Sequence, residues 1–153
     1  AVVADDHDGR GAACVFCDLP ARRDDERTYI LYRGARAFVI MNLYPYNNGH
    51  LMVVPYAHVA SQEALPPEAL LDLMQMVNGA LAALRKAYNP PAFNLGANLG
   101  AAAGAGIAEH YHFHIVPRWA GDANFMTAVG DTRVIPASLD DTWRDLRAAW
   151  EST

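Results

Sequence analysis

Glu109-His110-Tyr111-His112-Phe113-His114-Ile115-Val116-Pro117-Arg118-Trp119 carries the strongest pattern in the chain. Three of the chain's six histidines stand here at alternate positions. Tyr111, Phe113, Ile115 and Val116 between and after them favour extended backbone. The spacing predicts a strand with His110, His112 and His114 on one face and Tyr111, Phe113 and Ile115 on the other. Neighbouring imidazoles would then stand roughly 7 Å apart along the strand. Such a row suits metal ligation or phosphoryl chemistry. Glu109 falls on the opposite face, so the row lacks the carboxylate that a metallo-hydrolase usually includes among its ligands.

Working outward, the segment Gly100 to Gly106 just before this strand contains only glycine and alanine. That composition lets backbone N–H groups approach an anion closely. A plain flexible linker is the competing reading. Phe93 to Leu99 reads as a further strand. Upstream, Pro66-Pro67-Glu68 opens a helix, since proline is tolerated in the first turn. Leu70, Leu73, Met74, Val77, Leu81, Leu84 and Tyr88 recur at helical spacing and mark its buried face, with Met76 beside it. Asn89-Pro90-Pro91 ends it. This longest element is expected to pack across a sheet.

Towards the N-terminus, Tyr29 to Tyr32 and Ala37 to Asn42 read as strands joined around Gly34. Asn47-Asn48-Gly49 makes a turn. His50 to Val54 is a third strand, stopped by Pro55. Taken alone, His50 and His58 read as surface or capping residues. Ala120 to Met126 reads as a turn and an extended piece. Ser138-Leu139-Asp140-Asp141 resembles a capping box opening a helix with Trp143, Leu146 and Trp150 on one face. Strands, helix, strands, helix in that order predict an antiparallel α+β domain. Residues 1–11, Asp-rich and glycine-broken, are expected to be a disordered tail, and 12–153 a single domain.

Composition bounds the function. The 153 residues are 52% hydrophobic and 19% charged, enough for one globular core. A formal charge of −5 argues against a nucleic-acid partner, and an anionic substrate would need local donors. No apolar run approaches the roughly 20 residues of a membrane span. The acidic, polar start carries no secretory signal, and with two cysteines there is no disulfide framework; a cytoplasmic protein is expected. Cys14 and Cys17 form one C-x-x-C. The pair is compatible with half of a tetrahedral zinc site, a redox couple or two incidental thiols. A redox couple of the thioredoxin kind wants the pair at the start of a helix. Here it follows the tail and precedes Pro20 and the charged run Arg22 to Arg27.

His110-Tyr111-His112-Phe113-His114-Ile115-Val116 resembles the signature of the histidine-triad (HIT) superfamily of nucleotide hydrolases and transferases. Asn47 to Pro55 followed by His58 is similar to that family's middle segment. Pro117-Arg118-Trp119 with Gly121 to Met126 resembles its bacterial branch of diadenosine-tetraphosphate phosphorylase-like proteins. The resemblance implies a five-stranded antiparallel sheet per subunit, one long and one C-terminal helix, and a homodimer. It implies that His112 is the nucleophile, attacking the α-phosphate of an adenine nucleotide or dinucleoside polyphosphate to form a nucleotidyl-histidine. Water or phosphate then resolves the intermediate. His114, Asn98 and the backbone amides of Gly104, Gly106 and Ile107 are the implied phosphate donors. Asn42 stands where relatives commonly carry an acidic residue on the ribose. Ile107 stands near a position where some relatives carry Ser or Thr. His50 is implied to lie near the active site or to be structural. Cys14, Cys17, His58 and His110 match a structural zinc site found in many bacterial members. A nucleoside phosphoramidate hydrolase, or a nucleotide- or partner-binding dimer with little turnover, is the alternative expectation.

Overall fold

The structure, a computed structural model, describes residues 14–45, 47–122 and 138–152. Five strands form one antiparallel sheet: β1 (Ile30–Arg33), β2 (Ala37–Met41), β3 (Leu51–Pro55), β4 (Ala92–Gly96) and β5 (Phe113–Arg118). Their order is β1-β2-β3-β5-β4. Among the described residues, the α-helices beside them are α1 (Val15–Ala21), α2 (Asp25–Thr28), α3 (Pro67–Ala87) and α4 (Leu139–Glu151). The sheet, the long helix and the C-terminal helix are those expected. The tail 1–11 and residues 123–126 lie outside the described residues. No described helix is long and apolar enough to cross a membrane.

Alternation along the strands splits the interior into two clusters. Val39, Met41, Leu51, Val53, Tyr111 and Ile115 pack with Leu73, Val77, Ala80 and Leu84 of α3 and with Leu146 of α4. Phe38, Ile40, Met52 and Val54 face the other way and pack with Ile30, Cys14 and Phe16. The helices therefore close one face of the sheet. Among the described residues α1 packs on the other face, and it is the face on which the histidines gather.

The buried stripe of α3 is rotated from the one that large apolar residues mark. Ala69, Leu73, Met76, Val77, Ala80, Ala83 and Leu84 are buried. Met74 is 44% exposed and Met76 is in the core, so the two methionines exchange their expected places. The reason is the alanines: small residues let the helix axis lie close to the sheet, and a hydrophobic count gives them little weight. Gly79 serves the same end against α4, since a Cβ there would stand 3.0 Å from the Trp150 ring. Ser138 caps α4 by accepting from the Asp141 N–H at 3.1 Å, as expected.

Two local expectations are corrected. The cysteine pair does lie at a helix start: Cys14 is the N-cap of α1 and Cys17 lies in its first turn. Pro20 lies inside that helix. Strand β5 begins only at Phe113, so His110 and His112 precede the ladder. Its three pairs with β3 are Leu51↔Ile115, Met52↔His114 and Val53↔Phe113. Beyond them Tyr111 N–H donates to Val59 O at 2.7 Å, which draws the chain away from β3.

Gly49, just ahead of β3, has φ +83°, and a Cβ there would meet Leu84 Cδ2 at 2.9 Å and Pro117 Cγ at 3.3 Å. Left-handed backbone and a core contact both oppose a side chain. Gly49→Ala should lower stability by about 1–3 kcal/mol. Urea unfolding monitored by tryptophan fluorescence checks this; an unchanged midpoint would contradict it.

Candidate functional site

His110 joins two clusters. It is fully buried, and burial pushes its imidazole pKa down. Its Nε2 lies 2.9 Å from the Pro55 carbonyl. A carbonyl can only accept, so Nε2 carries the proton and Nδ1 the lone pair. That lone pair faces Cys14 Sγ at 3.2 Å, His58 Nδ1 at 3.2 Å and Cys17 Sγ at 3.6 Å. Cys17 Sγ is 3.4 Å from His58 Nδ1. All four ligand atoms lie within 4.8 Å of one another.

These separations fit a metal. Bonds of about 2.3 Å to sulfur and 2.0–2.1 Å to nitrogen at tetrahedral angles set ligand atoms roughly 3.3–3.8 Å apart. Four N/S donors surround the centre and none is a carboxylate. The Cys2His2 cluster can therefore hold a metal ion. Neither cysteine is in a disulfide. His58 comes from the loop after β3 and is exposed, whereas Cys14 and His110 are buried.

The backbone of His110 serves the second cluster. Its carbonyl accepts from His112 Nδ1 at 2.9 Å. The same donor logic places the His112 proton on Nδ1 and leaves Nε2 with its lone pair. Among the described residues nothing bonds that Nε2. Phe16 packs against both rings, 5.6 Å from His110 and 5.0 Å from His112 between centroids. His112 and His114 meet edge to face at 5.0 Å.

His50 belongs here and is not at the surface. It is 1% exposed, and its Nε2 is 2.9 Å from His114 Nδ1. Pairing of Met52 with His114 sets β3 beside β5, so His50 and His114 meet across the strands. Burial, then the neighbouring His114 and His112, lowers the His50 pKa to about 3. Burial and His112 lower His114 to about 4. Both rings are neutral near pH 7 and act through single N–H groups and lone pairs. Asn42 closes the row, with Nδ2 3.4 Å from His50 Nε2. Its Oδ1 accepts from the Tyr44 N–H at 2.9 Å, which orients the amide.

The glycine–alanine segment is an open turn. Ala101–Ala103 form one 3-10 turn between Gly100 at φ +89° and Gly104 at φ +100°. Gly104 N–H donates to Ala101 O at 2.9 Å and is engaged there. Among the described residues the N–H groups of Gly106 and Ile107 have no partner. Ile107 packs its side chain on the histidine face. Asn98 is exposed beside this turn, its amide nitrogen 3.9 Å from where a Gly104 Cβ would stand. The structure brings Cys14, Cys17, His58 and His110 together, and His112, His114, His50 and Asn42 beside one another. Local reading placed His50 at the surface, because a histidine before a strand carries no sign of what it meets 64 residues later.

Comparison with known proteins adds relatives. The HIT domain model matches residues 23–121, a span that excludes Cys14 and Cys17. AP-4-A phosphorylase of Mycobacterium tuberculosis is 42% identical over 149 residues, covering 97% of this chain and 76% of that protein. Adenylylsulfatase HINT3 of Arabidopsis thaliana is 33% identical over 105 residues, 69% of this chain and 52% of that one. A Zn-bound histidine triad family protein from Mycobacterium smegmatis superposes with a TM-score of 0.73 at 24% identity, over 92% of this chain and 94% of that one. The last likeness bears on the fold.

The neutral histidine pair sets an acid limit on stability. Unfolded, each imidazole titrates near its ordinary value of about 6.5. Below that pH the unfolded chain takes up protons that the folded chain refuses, so stability falls as pH drops towards 4. Above about pH 7 both rings are neutral in both states and the effect vanishes. His50→Gln removes one such group. Its melting temperature should therefore fall less than the wild type's between about pH 7 and pH 5. Equal falls in thermal melts would refute this.

Proposed function

The chain belongs to the HIT-domain family, and from that premise we propose that it transfers a nucleotidyl group from the α-phosphate of an adenine nucleotide or dinucleoside polyphosphate through a covalent adduct on His112. The observation that carries the reading is the His112 tautomer. With the proton held on Nδ1 by the His110 carbonyl, Nε2 offers a neutral lone pair for attack. In the first step Nε2 bonds to the α-phosphorus and the bond to the leaving polyphosphate oxygen breaks, its electron pair going to that oxygen. In the second step an acceptor oxygen bonds to phosphorus and the P–N bond breaks, returning the pair to Nε2.

Charge on the non-bridging oxygens needs fixed donors. The unengaged N–H groups of Gly106 and Ile107, the Asn98 amide and His114 supply them in this reading. His114 Nδ1 is engaged with His50 Nε2 at 2.9 Å, which leaves the His114 Nε2 for the phosphate in this reading. Gly104 contributes the left-handed turn. Asn42 keeps one Oδ1 lone pair and the Nδ2–H not directed at His50 for the ribose hydroxyls.

Likeness to an AP-4-A phosphorylase supports diadenosine tetraphosphate as donor and phosphate as acceptor. Likeness to an adenylylsulfatase supports small adenylylated compounds through the same adduct. We read the Cys2His2 cluster as a structural zinc site, because its four donors leave no position open. Zinc would there fix α1 and the His58 loop to His110 without entering the reaction. We read the molecule as a homodimer joined at β4. Ala92, Asn94 and Leu95 of this edge strand are exposed, and Leu95 and Leu99 are 48% and 44% exposed. Reduced cysteines fit a cytoplasmic protein.

Product analysis with diadenosine tetraphosphate tests the activity. ADP and ATP should form with phosphate, against AMP and ATP with water alone. His112→Asn should lower turnover at least about 1,000-fold while nucleotide binding persists. No wild-type adduct in rapid-quench labelling, under conditions where nucleotide binds, would sink the mechanism. Cys14→Ala should abolish stoichiometric zinc and lower the melting temperature, with a smaller effect on the chemical step. Zinc-free wild-type protein by elemental analysis would overturn the metal assignment.

A further inference from the structure

We propose that Asp122, acting through Asn47, is a positioning residue for the His50–His114 pair. The proposal rests on the reading above, in which His114 faces the phosphate.

Asp122 stands in the turn after β5, and its side chain is 12% exposed. Its Oδ1 accepts from Arg118 NH2 at 2.8 Å and Nε at 3.2 Å. Its Oδ2 accepts from Asn47 Nδ2 at 2.8 Å and from the Trp119 N–H at 2.8 Å, with Arg118 Nε again at 3.2 Å. Arg118 also donates to Asn94 Oδ1 on β4. These bonds hold the Asp122 carboxyl well below the ordinary range, at about 2, so it is ionised at any working pH. An exposed Arg–Asp pair four residues apart contributes little by itself. This one differs because the second carboxylate oxygen reaches into another part of the chain.

That part is the connection from β2 to β3, residues 42–50. It has Asn42 at one end and His50 at the other. Asn47 is its tether. The side-chain NH2 has two protons, one directed to Asp122 and one to the Pro117 carbonyl at 2.8 Å. The Asn47 carbonyl then accepts the His50 N–H at 3.2 Å. Gly49, between them, lies against Leu84 and Pro117 with no room for a Cβ. The order of contacts is Arg118 to Asp122, Asp122 to Asn47, Asn47 to His50, His50 to His114. Each link is a hydrogen bond of fixed direction except the last. The turn after β5 thus sets the height at which His50 enters β3, and so the contact that decides which His114 nitrogen bears the proton. A displacement of about 1 Å at such a contact is enough to cost on the order of a hundredfold in rate.

The test uses the full chain. Asn47→Ala and Asp122→Ala are compared with Asn94→Ala, which removes the other Arg118 partner and leaves the tether intact. Folding is checked by circular dichroism. Long-range 1H–15N spectra read the tautomers of His50 and His114, and steady-state kinetics separate kcat from KM. Asn47→Ala and Asp122→Ala should change the His114 nitrogen shifts and lower kcat about tenfold to a hundredfold, with KM within about threefold. Asn94→Ala should change neither. Folded tether variants with wild-type His114 shifts would overturn the proposal. So would loss confined to stability, with kcat within about threefold of wild type. If an alanine variant does not fold, Asn47→Ser, which keeps a short polar side chain in the turn, carries the same readings. Should the wild type prove inactive, the reaction assignment fails, and the nitrogen shifts alone decide the positioning role.

Discussion

His110 makes three commitments at once, and the rest of the site depends on them. Its Nε2–H is fixed to the Pro55 carbonyl at the end of β3. Its Nδ1 lone pair therefore faces the two thiols and His58. Its own carbonyl fixes the His112 proton two residues later. A fully buried imidazole with every polar group engaged is costly to disturb. The metal-competent cluster and the nucleophile are thereby set by one side chain and one peptide unit. Strand β5 begins at Phe113, just beyond the peptide unit that His112 uses.

The two faces of the sheet are built for different ends. One is closed by α3 and α4 around Leu51, Val53, Ile115 and Leu146, all fully buried. Alanines at 69, 80 and 83 bring α3 close, and Trp150 lies over Gly79. On the other side several polar groups are bonded in chains. His50 bonds His114, Asn42 bonds Tyr44 and approaches His50, and the Asn47–Asp122 tether fixes the connection from behind. The glycine–alanine turn contributes least to the core, since a Cβ at Gly100 or Gly106 would meet nothing within 4 Å. That open space and two unengaged N–H groups are what an anion requires.

Local reading of the residues reached the strands and the long helix to within a residue or three at most ends, and failed where contacts decide. Met74 and Met76 differ in burial only because small residues, invisible to a hydrophobic count, turn α3 on its axis. The helix start at Cys14 leaves no mark in the linear pattern, and a seven-residue helix has few hydrogen bonds for Pro20 to remove. His50 was read as a surface residue because nothing near it in sequence foreshadows His114. Asp122 attracted notice only as part of a motif. Its partners lie in two segments, at Asn47 and at the adjacent Arg118 and Trp119 amide.

By itself the sequence determined the alternation that puts imidazoles on one side and apolar residues on the other, the amphipathic helix that covers the apolar side, and the glycine–alanine segment beside the histidines. Periodicity and backbone preference are local, so a linear pattern carries them. The family resemblance assigned roles to the histidines, but did not say why one nitrogen and not the other would act. The same resemblance grouped Cys14, Cys17, His58 and His110, and the fold adds the distances that let them share one centre. The tautomers of His110 and His112, the neutrality of His50 and His114, and the tether from Asp122 to Asn47 came from the tertiary structure alone. Each of these depends on which donor meets which acceptor across tens of residues, and on how far burial removes water from the pair.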